Sequence, residues 1–205
     1  MSMHNAKIKA LISDFDGVVS DSMDFHYQAI QKFSGISLSY EDFAGMHDGN
    51  FFAHTLPKFR NVDWEGYKSF VFSEQQNLVI QEECRDFFEI VASRLSVFIV
   101  TSGGERNVSA FLENNCVRGL FQEILGLETS LRKVEKFRSI LSRHGFALDE
   151  VVFVTDTLGD ILEAAEVGIR TIAVDFGFHD RQRLERGNPY RIVSSFEEIL
   201  TCLKE

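Results

Sequence analysis

The chain has 205 residues, 44% hydrophobic and 25% charged, enough for one soluble core domain and a small accessory domain. Its formal charge of −10 argues against a basic nucleic-acid face and repels anions, so an anion site here requires a cation or well-placed lysines. The first ten residues carry no secretory-type apolar run, and no window approaches the ~20 apolar residues of a membrane span. Cys84, Cys116 and Cys202 form no CxxC pair, so the cytoplasm is the expected location.

Residues 8–13 form a short apolar run that ends in Asp14 and predicts a first buried strand. From about residue 20 to 85 no buried strand is expected. Phe25, Ala29, Ile30 and Phe33 make one helical stripe, and Trp64, Tyr67, Val71 and Leu78 another. Cys84, Phe87, Phe88, Val91 and Leu95 lead back into apolar runs at 97–100, 151–154 and 171–174. Between these lie two helices: Val134, Phe137 and Leu141 closed by Gly145, and Ile161, Leu162 and Ala165 closed by Gly168. A last helix carries Phe196, Ile199, Leu200 and Leu203, with Ser194 and Glu197 as a capping box. The fold class expected is α/β. A Rossmann-like parallel sheet with helices on both faces spans 1–19 and 86–205, and a small all-helical cap spans 20–85.

In open parallel sheets ligands bind beyond the carboxyl ends of the strands. Asp14 and Asp16 follow the first run, Thr101 and Ser102 the second, Asp156 and Asp160 the third, Asp175 and His179 the fourth. These clusters are expected to converge on one crevice. Gly17 permits a turn that brings both Asp14 and Asp16 to one ligand, the first to attack and the second to move a proton. Asp156 and Asp160, four apart across a strand-to-helix turn, add hard oxygen donors suited to magnesium; either can instead cap the following helix. Thr101, Ser102 and the amide of Gly103 can hold phosphoryl oxygens. Lys133 or Lys136 can neutralise charge, and spacing does not choose between them.

The ordered set Asp14-x-Asp16-Gly17, Thr101, Lys133 and Asp156-x-x-x-Asp160 resembles the haloacid dehalogenase-like hydrolases. With a helical cap after the first strand, it resembles the phosphoglycolate phosphatase and β-phosphoglucomutase branch. The resemblance implies Asp14 as nucleophile, Asp16 as general acid and then base, Thr101 as phosphoryl ligand and Lys133 as the neutralising lysine. It implies Mg2+ held by Asp14, the carbonyl of Asp16 and Asp156, with Asp160 beside it or reached through water. Asp16 also separates phosphoryl transfer from dehalogenation, and its pKa is expected to be raised.

Val18 and the position of His26 resemble the mutase members. A mutase needs a second phosphate site in its cap, where Met46-His47-Asp48-Gly49 has no arginine and Lys58 and Arg60 are the nearest candidates. His47, Asp48, Asn50 and His54 are rim groups for substrate choice. The function expected is a magnesium-dependent phosphatase of a small phosphate ester, binding neither nucleic acid nor membrane. A sugar phosphomutase and a noncatalytic binding protein are the alternatives, and oligomeric state is not legible.

Overall fold

The computed structural model describes residues 7–54, 59 and 61–204; the side chain of His54 and all of Lys58 and Arg60 lie outside the described residues. Six parallel strands form one sheet: β1 (Ala10–Ser13), β2 (Ser96–Val100), β3 (Glu123–Leu125), β4 (Val151–Thr155), β5 (Arg170–Val174) and β6 (Arg191–Val193). Their order is β3-β2-β1-β4-β5-β6. The chain builds outward from β1 to β3, then returns to pair β4 on the other side of β1. The topological switch point, where such sheets bind ligands, therefore lies between β1 and β4.

The strands are short, β-branched and buried on both faces, as parallel strands covered by helices must be. Side chains alternate between two cores. Leu11, Val97, Ile99, Val152 and Val154 face α5 (Glu82–Ala92), α6 (Glu105–Asn114) and α10 (Phe196–Cys202). Ala10, Ile12, Phe98, Val100 and Phe153 face the other side, against α7 (Lys133–His144), with Ala164 of α8 (Leu158–Val167). Phe137 of α7 meets Phe153 edge to face at 4.8 Å. Truncating either to alanine costs about 3–5 kcal/mol by lost contact and cavity formation.

Helices α7 and α8 end at Gly145 and Gly168, both left-handed, as their sequence patterns predict. The capping of α10 falls one residue later than expected. Ser195, not Ser194, accepts from Glu198 N, while the Glu198 carboxylate accepts from Ser194 N. Strands β3 and β6 are not foreseen; at three residues each they are too short to show a period.

The insertion after β1 is helical: α1 (Met23–Ser34), α2 (Tyr40–Gly45), α3 (Phe51–His54) and α4 (Trp64–Asn77). The stripe Phe25, Ala29 and Ile30 of α1 packs on its own small cores with Phe43, Met46 and Val71. Several polar contacts seat this cap on the sheet. Gly159 N donates to His47 O at 2.9 Å, and Asn50 Nδ2 donates to Glu163 at 3.2 Å. Gly159 must be glycine there, because a Cβ would stand 2.5 Å from Gly49 O. A short helix α9 (Arg181–Glu185) adds Arg183, paired with Asp48 and Glu41 of the cap.

Candidate active site

The chain leaves β1 at Asp14 and folds back in a tight loop, with the amides of Val19 and Ser20 donating to Phe15 O. Gly17 sits at φ +76°, and a Cβ on it would lie 1.8 Å from an Asp156 carboxylate oxygen. Glycine is thus required both by backbone conformation and by the approach of β4's aspartate to β1's loop.

Asp14 is buried, with Oδ1 accepting from Phe15 N at 2.7 Å and lying 2.8 Å from Lys133 Nζ. Lys133, at the first position of α7, is 2% exposed and also donates to Asp160 Oδ2 at 2.6 Å. Thr155, the last residue of β4, donates to the same Asp160 oxygen at 2.8 Å. The neighbouring lysine points elsewhere: Lys136 Nζ donates to Thr101 O at 2.6 Å. Burial lowers its pKa to about 8, with Lys133 repelling its charge as well. Lys133 moves the other way; despite burial, Asp14 and Asp160 hold it above the usual lysine range.

Asp16 stands apart from that cluster. Its Oδ1 accepts from Ser22 Oγ at 2.7 Å and from Gln75 Nε2 at 3.3 Å, and lies 3.3 Å from His26 Nε2. His26 is held from behind by the Tyr67 hydroxyl at 2.9 Å. The expectation of a raised Asp16 pKa is not met. Burial pushes it up, but the charge and hydrogen bond of His26, with Ser22, leave it below the ordinary carboxylate value. Ser22 precedes α1 without capping it; its hydroxyl is spent on Asp16.

Asp156 is fully buried, and one oxygen accepts from Phe178 N at 2.7 Å. Its other oxygen, Oδ1, has no hydrogen-bond partner among the described residues. Neither aspartate of the pair caps α8; Thr157 does, accepting from Asp160 N. Burial first, then the charge of Asp160, push Asp156 up to about 7, and burial likewise raises Asp14 well above the carboxylate range. Asp160 moves the other way: burial would raise it, but Lys133 and hydrogen bonds from Asp14 and Thr155 outweigh that and lower it.

Among the described residues, no three Asp, Glu, His or Cys side chains converge to hold a metal by themselves. Asp14, Asp156 and a backbone carbonyl are a different donor set, and it fits a hard cation. Burial raises the pKa of both carboxylates, a neighbouring carboxylate raises each further, and Asp156 Oδ1 has no partner among the described residues. The Asp160 side chain, expected beside the metal, is committed to Lys133 and Thr155, and the Asp16 side chain to Ser22, His26 and Gln75.

Thr101 is buried at the end of β2, its Oγ1 accepting from Gly103 N at 2.9 Å. A cavity of about 60 Å³ is lined by Asp14, Asp16, Thr101, Ser102, Lys133 and Asp160 from the core, and by Asn50 and Phe51 from the cap. Three of the four strand ends thus meet. The fourth does not. Asp175 turns outward to Arg181 at 2.8 Å and Ser194 at 3.1 Å. His179 braces the frame: Nδ1 accepts from Leu158 N at the start of α8, which places its proton on Nε2 to donate to Ala44 O of the cap. Gln75, Ser22, Thr155 and the Phe178 amide are ordinary residue types placed only by tertiary packing, and a serine six residues after Asp16, where a helix begins, is the one signal the sequence carries for them.

The family model of the haloacid dehalogenase-like hydrolases matches residues 11–174, from β1 to β5. A phosphoglycolate phosphatase from Synechococcus elongatus is 24% identical, over 97% of this chain and 98% of its own. A haloacid dehalogenase-like family hydrolase from Streptococcus pneumoniae superimposes with a TM-score of 0.80 at 22% identity, over 95% of this chain and 98% of that one. CbbY from Rhodobacter sphaeroides, solved in complex with phosphate, does so with a TM-score of 0.80 at 15% identity, over 97% and 100%. The aspartate-bearing loop after β1, the helical insertion that follows it and the lysine and aspartates at neighbouring strand ends all lie inside that matched span, and the chain belongs to the haloacid dehalogenase-like hydrolases.

Proposed function

We propose that the protein is a phosphatase that hydrolyses a small phosphorylated metabolite through an aspartyl-phosphate on Asp14. The observation that carries this reading is the division of labour between two neighbouring carboxylates. Asp14 is fixed by the Phe15 amide and Lys133, and Asp16 is fixed separately by Ser22, His26 and Gln75. Asp14 attacks phosphorus as the bond to the leaving oxygen breaks, and Asp16 gives that oxygen its proton. Water then attacks the phosphorus, Asp16 takes the water's proton, and the bond to Asp14 breaks. Lys133 faces the charge on the transferring group, and Thr101, Ser102 and the Gly103 amide orient its oxygens.

Asp14, Asp156 and the Asp16 carbonyl would hold magnesium. Bound there, it supplies the positive charge that keeps both carboxylates ionised and offsets that of the phosphoryl oxygens. Asp16 begins ionised by its neighbours, and the approach of a phosphate dianion raises its pKa toward the protonated state its first role needs. The phosphatase relatives support hydrolysis, and the CbbY structures with phosphate and, in a mutant, with xylulose-1,5-bisphosphate support a phosphorylated ligand.

A panel of phosphate esters assayed with and without magnesium tests the reading. Magnesium-dependent phosphate release is expected. Folded protein that turns over no ester would contradict it and favour a noncatalytic role. Conversion of a sugar 1-phosphate to a 6-phosphate, primed by a bisphosphate, would favour the mutase instead.

A further inference from the structure

A second cavity, of about 190 Å³, adjoins the Asp14 pocket and shares Asp16, His47, Phe51, Ser102 and Phe178 with it. Asp16, the proposed proton donor to the leaving oxygen, lines both, so whatever that oxygen carries extends into this second space. Its walls are mostly apolar: Ile30, Phe43, Met46, Trp64 and Val71 from the cap, and Leu127 from the core.

The charges around it are already committed. Among the described lining residues Lys68 is the single lysine or arginine. Its side chain is 60% exposed and reaches back to Glu65 at 3.4 Å. His26 is engaged by Asp16 and Tyr67. His47 has a buried Nε2 with no partner among the described residues, and burial holds the ring neutral. A second anion on the leaving group would therefore lose its water and face the Asp16 carboxylate and aromatic walls, with no buried lysine or arginine among the described lining residues to receive it.

We infer that this cavity takes an uncharged, predominantly apolar leaving group, so that the preferred substrates are monophosphate esters of aryl or short alkyl alcohols without a second anionic group. The inference rests on the phosphatase reading above. It sets this chain apart in substrate class from an enzyme for a phosphorylated carboxylic acid or a sugar bisphosphate.

The test uses two isosteric esters, 4-nitrobenzyl phosphate and 4-carboxybenzyl phosphate, assayed with magnesium beside 2-phosphoglycolate. The uncharged ester should be favoured in kcat/KM by roughly 100-fold, the scale of leaving a buried charge unpaired. Trp64, the chain's single tryptophan, lines the cavity, so its fluorescence reports occupancy without turnover. Titration with the matching benzylphosphonates should give the same ranking. Phe52→Arg, at a partly exposed lining position, should narrow the preference about tenfold by placing a cation on the cavity wall. Equal or inverted rankings, a preference for 2-phosphoglycolate, or no phosphonate binding would overturn the inference. No turnover of any ester, with the phosphonate ranking intact, would defeat the phosphatase reading and leave the cavity's preference standing.

Discussion

The ammonium of Lys133 lies 2.8 Å from the carboxylate of Asp14, and both groups are almost wholly removed from water. Such a pair stands only where geometry is good and every remaining donor is used. Here Lys133 spends a second proton on Asp160, which Thr155 also holds. The lysine is thereby aimed at the oxygen proposed to attack phosphorus, and Asp160, on the next strand end, would act as its positioning residue.

Replacing Lys133 with methionine should lower kcat about 10²–10³-fold, the usual loss for one donor to the transferring charge. It should also cost about 3–5 kcal/mol of stability, because Asp14 and Asp160 would remain buried without their counter-ion. Lys136→Met removes a bond to the Thr101 carbonyl instead and should cost activity less than about tenfold. Steady-state assays with urea unfolding of both variants check this. Equal losses at the two positions would contradict the assignment.

Asp16→Asn should separate substrates by their leaving groups. For an alkyl phosphate, whose departing oxygen needs a proton, turnover should fall about 10²–10⁴-fold. For 4-nitrophenyl phosphate, whose leaving group departs unprotonated, the first step should be nearly spared. Burst kinetics should then show phosphoenzyme accumulating, because the same residue is missing as base. A loss independent of the leaving group would remove Asp16 from proton transfer.

His47 gives the fold a definable acid sensitivity. Burial, followed by repulsion from His179 and His26, lowers its pKa to about 3. The unfolded chain takes up this proton as pH falls through about 6.5, while the folded chain resists until about 3. The stability linked to His47 is therefore fully present above about pH 6.5 and is lost as pH falls below it. Its side chain is partly exposed although Nε2 is buried, so the loss between pH 7 and pH 5 is at most about 2 kcal/mol. His47→Phe keeps the ring stacked on Phe51 and the backbone bond to Gly159, and should flatten this slope in urea unfolding at the two pH values. An unchanged slope would show that His47 is not the group responsible.

The sequence reads most clearly where one residue type serves one local purpose. The four apolar runs become β1, β2, β4 and β5, and Gly17, Gly145 and Gly168 occupy left-handed positions that the turn and cap patterns require. Asp14, Asp16, Asp160, Thr101 and Lys133 reach one pocket because all stand at carboxyl ends of neighbouring strands or at the helix start beside them. What stays hidden is set by long-range packing. Asp160 and Lys133 are 27 residues apart, and nothing in either segment announces that one aspartate of the pair turns to the lysine while the other keeps a bare oxygen. Gln75 is 59 residues from Asp16 and sits on a helix whose stripe marks it only as polar. Asp175 follows a strand just as Asp14 does, yet Arg181 and Ser194 draw it outward.

As the proposed nucleophile, Asp14 should carry a covalent phosphoryl group during turnover. Acid quenching during turnover, followed by borohydride reduction and peptide mass spectrometry, reads it directly, since reduction of an acyl phosphate converts that aspartate to homoserine. Homoserine is expected at position 14 when ester and magnesium are both present, with none without ester and no turnover in Asp14→Asn. Steady turnover with Asp14 unmodified, or full activity in Asp14→Asn, would contradict Asp14 as nucleophile.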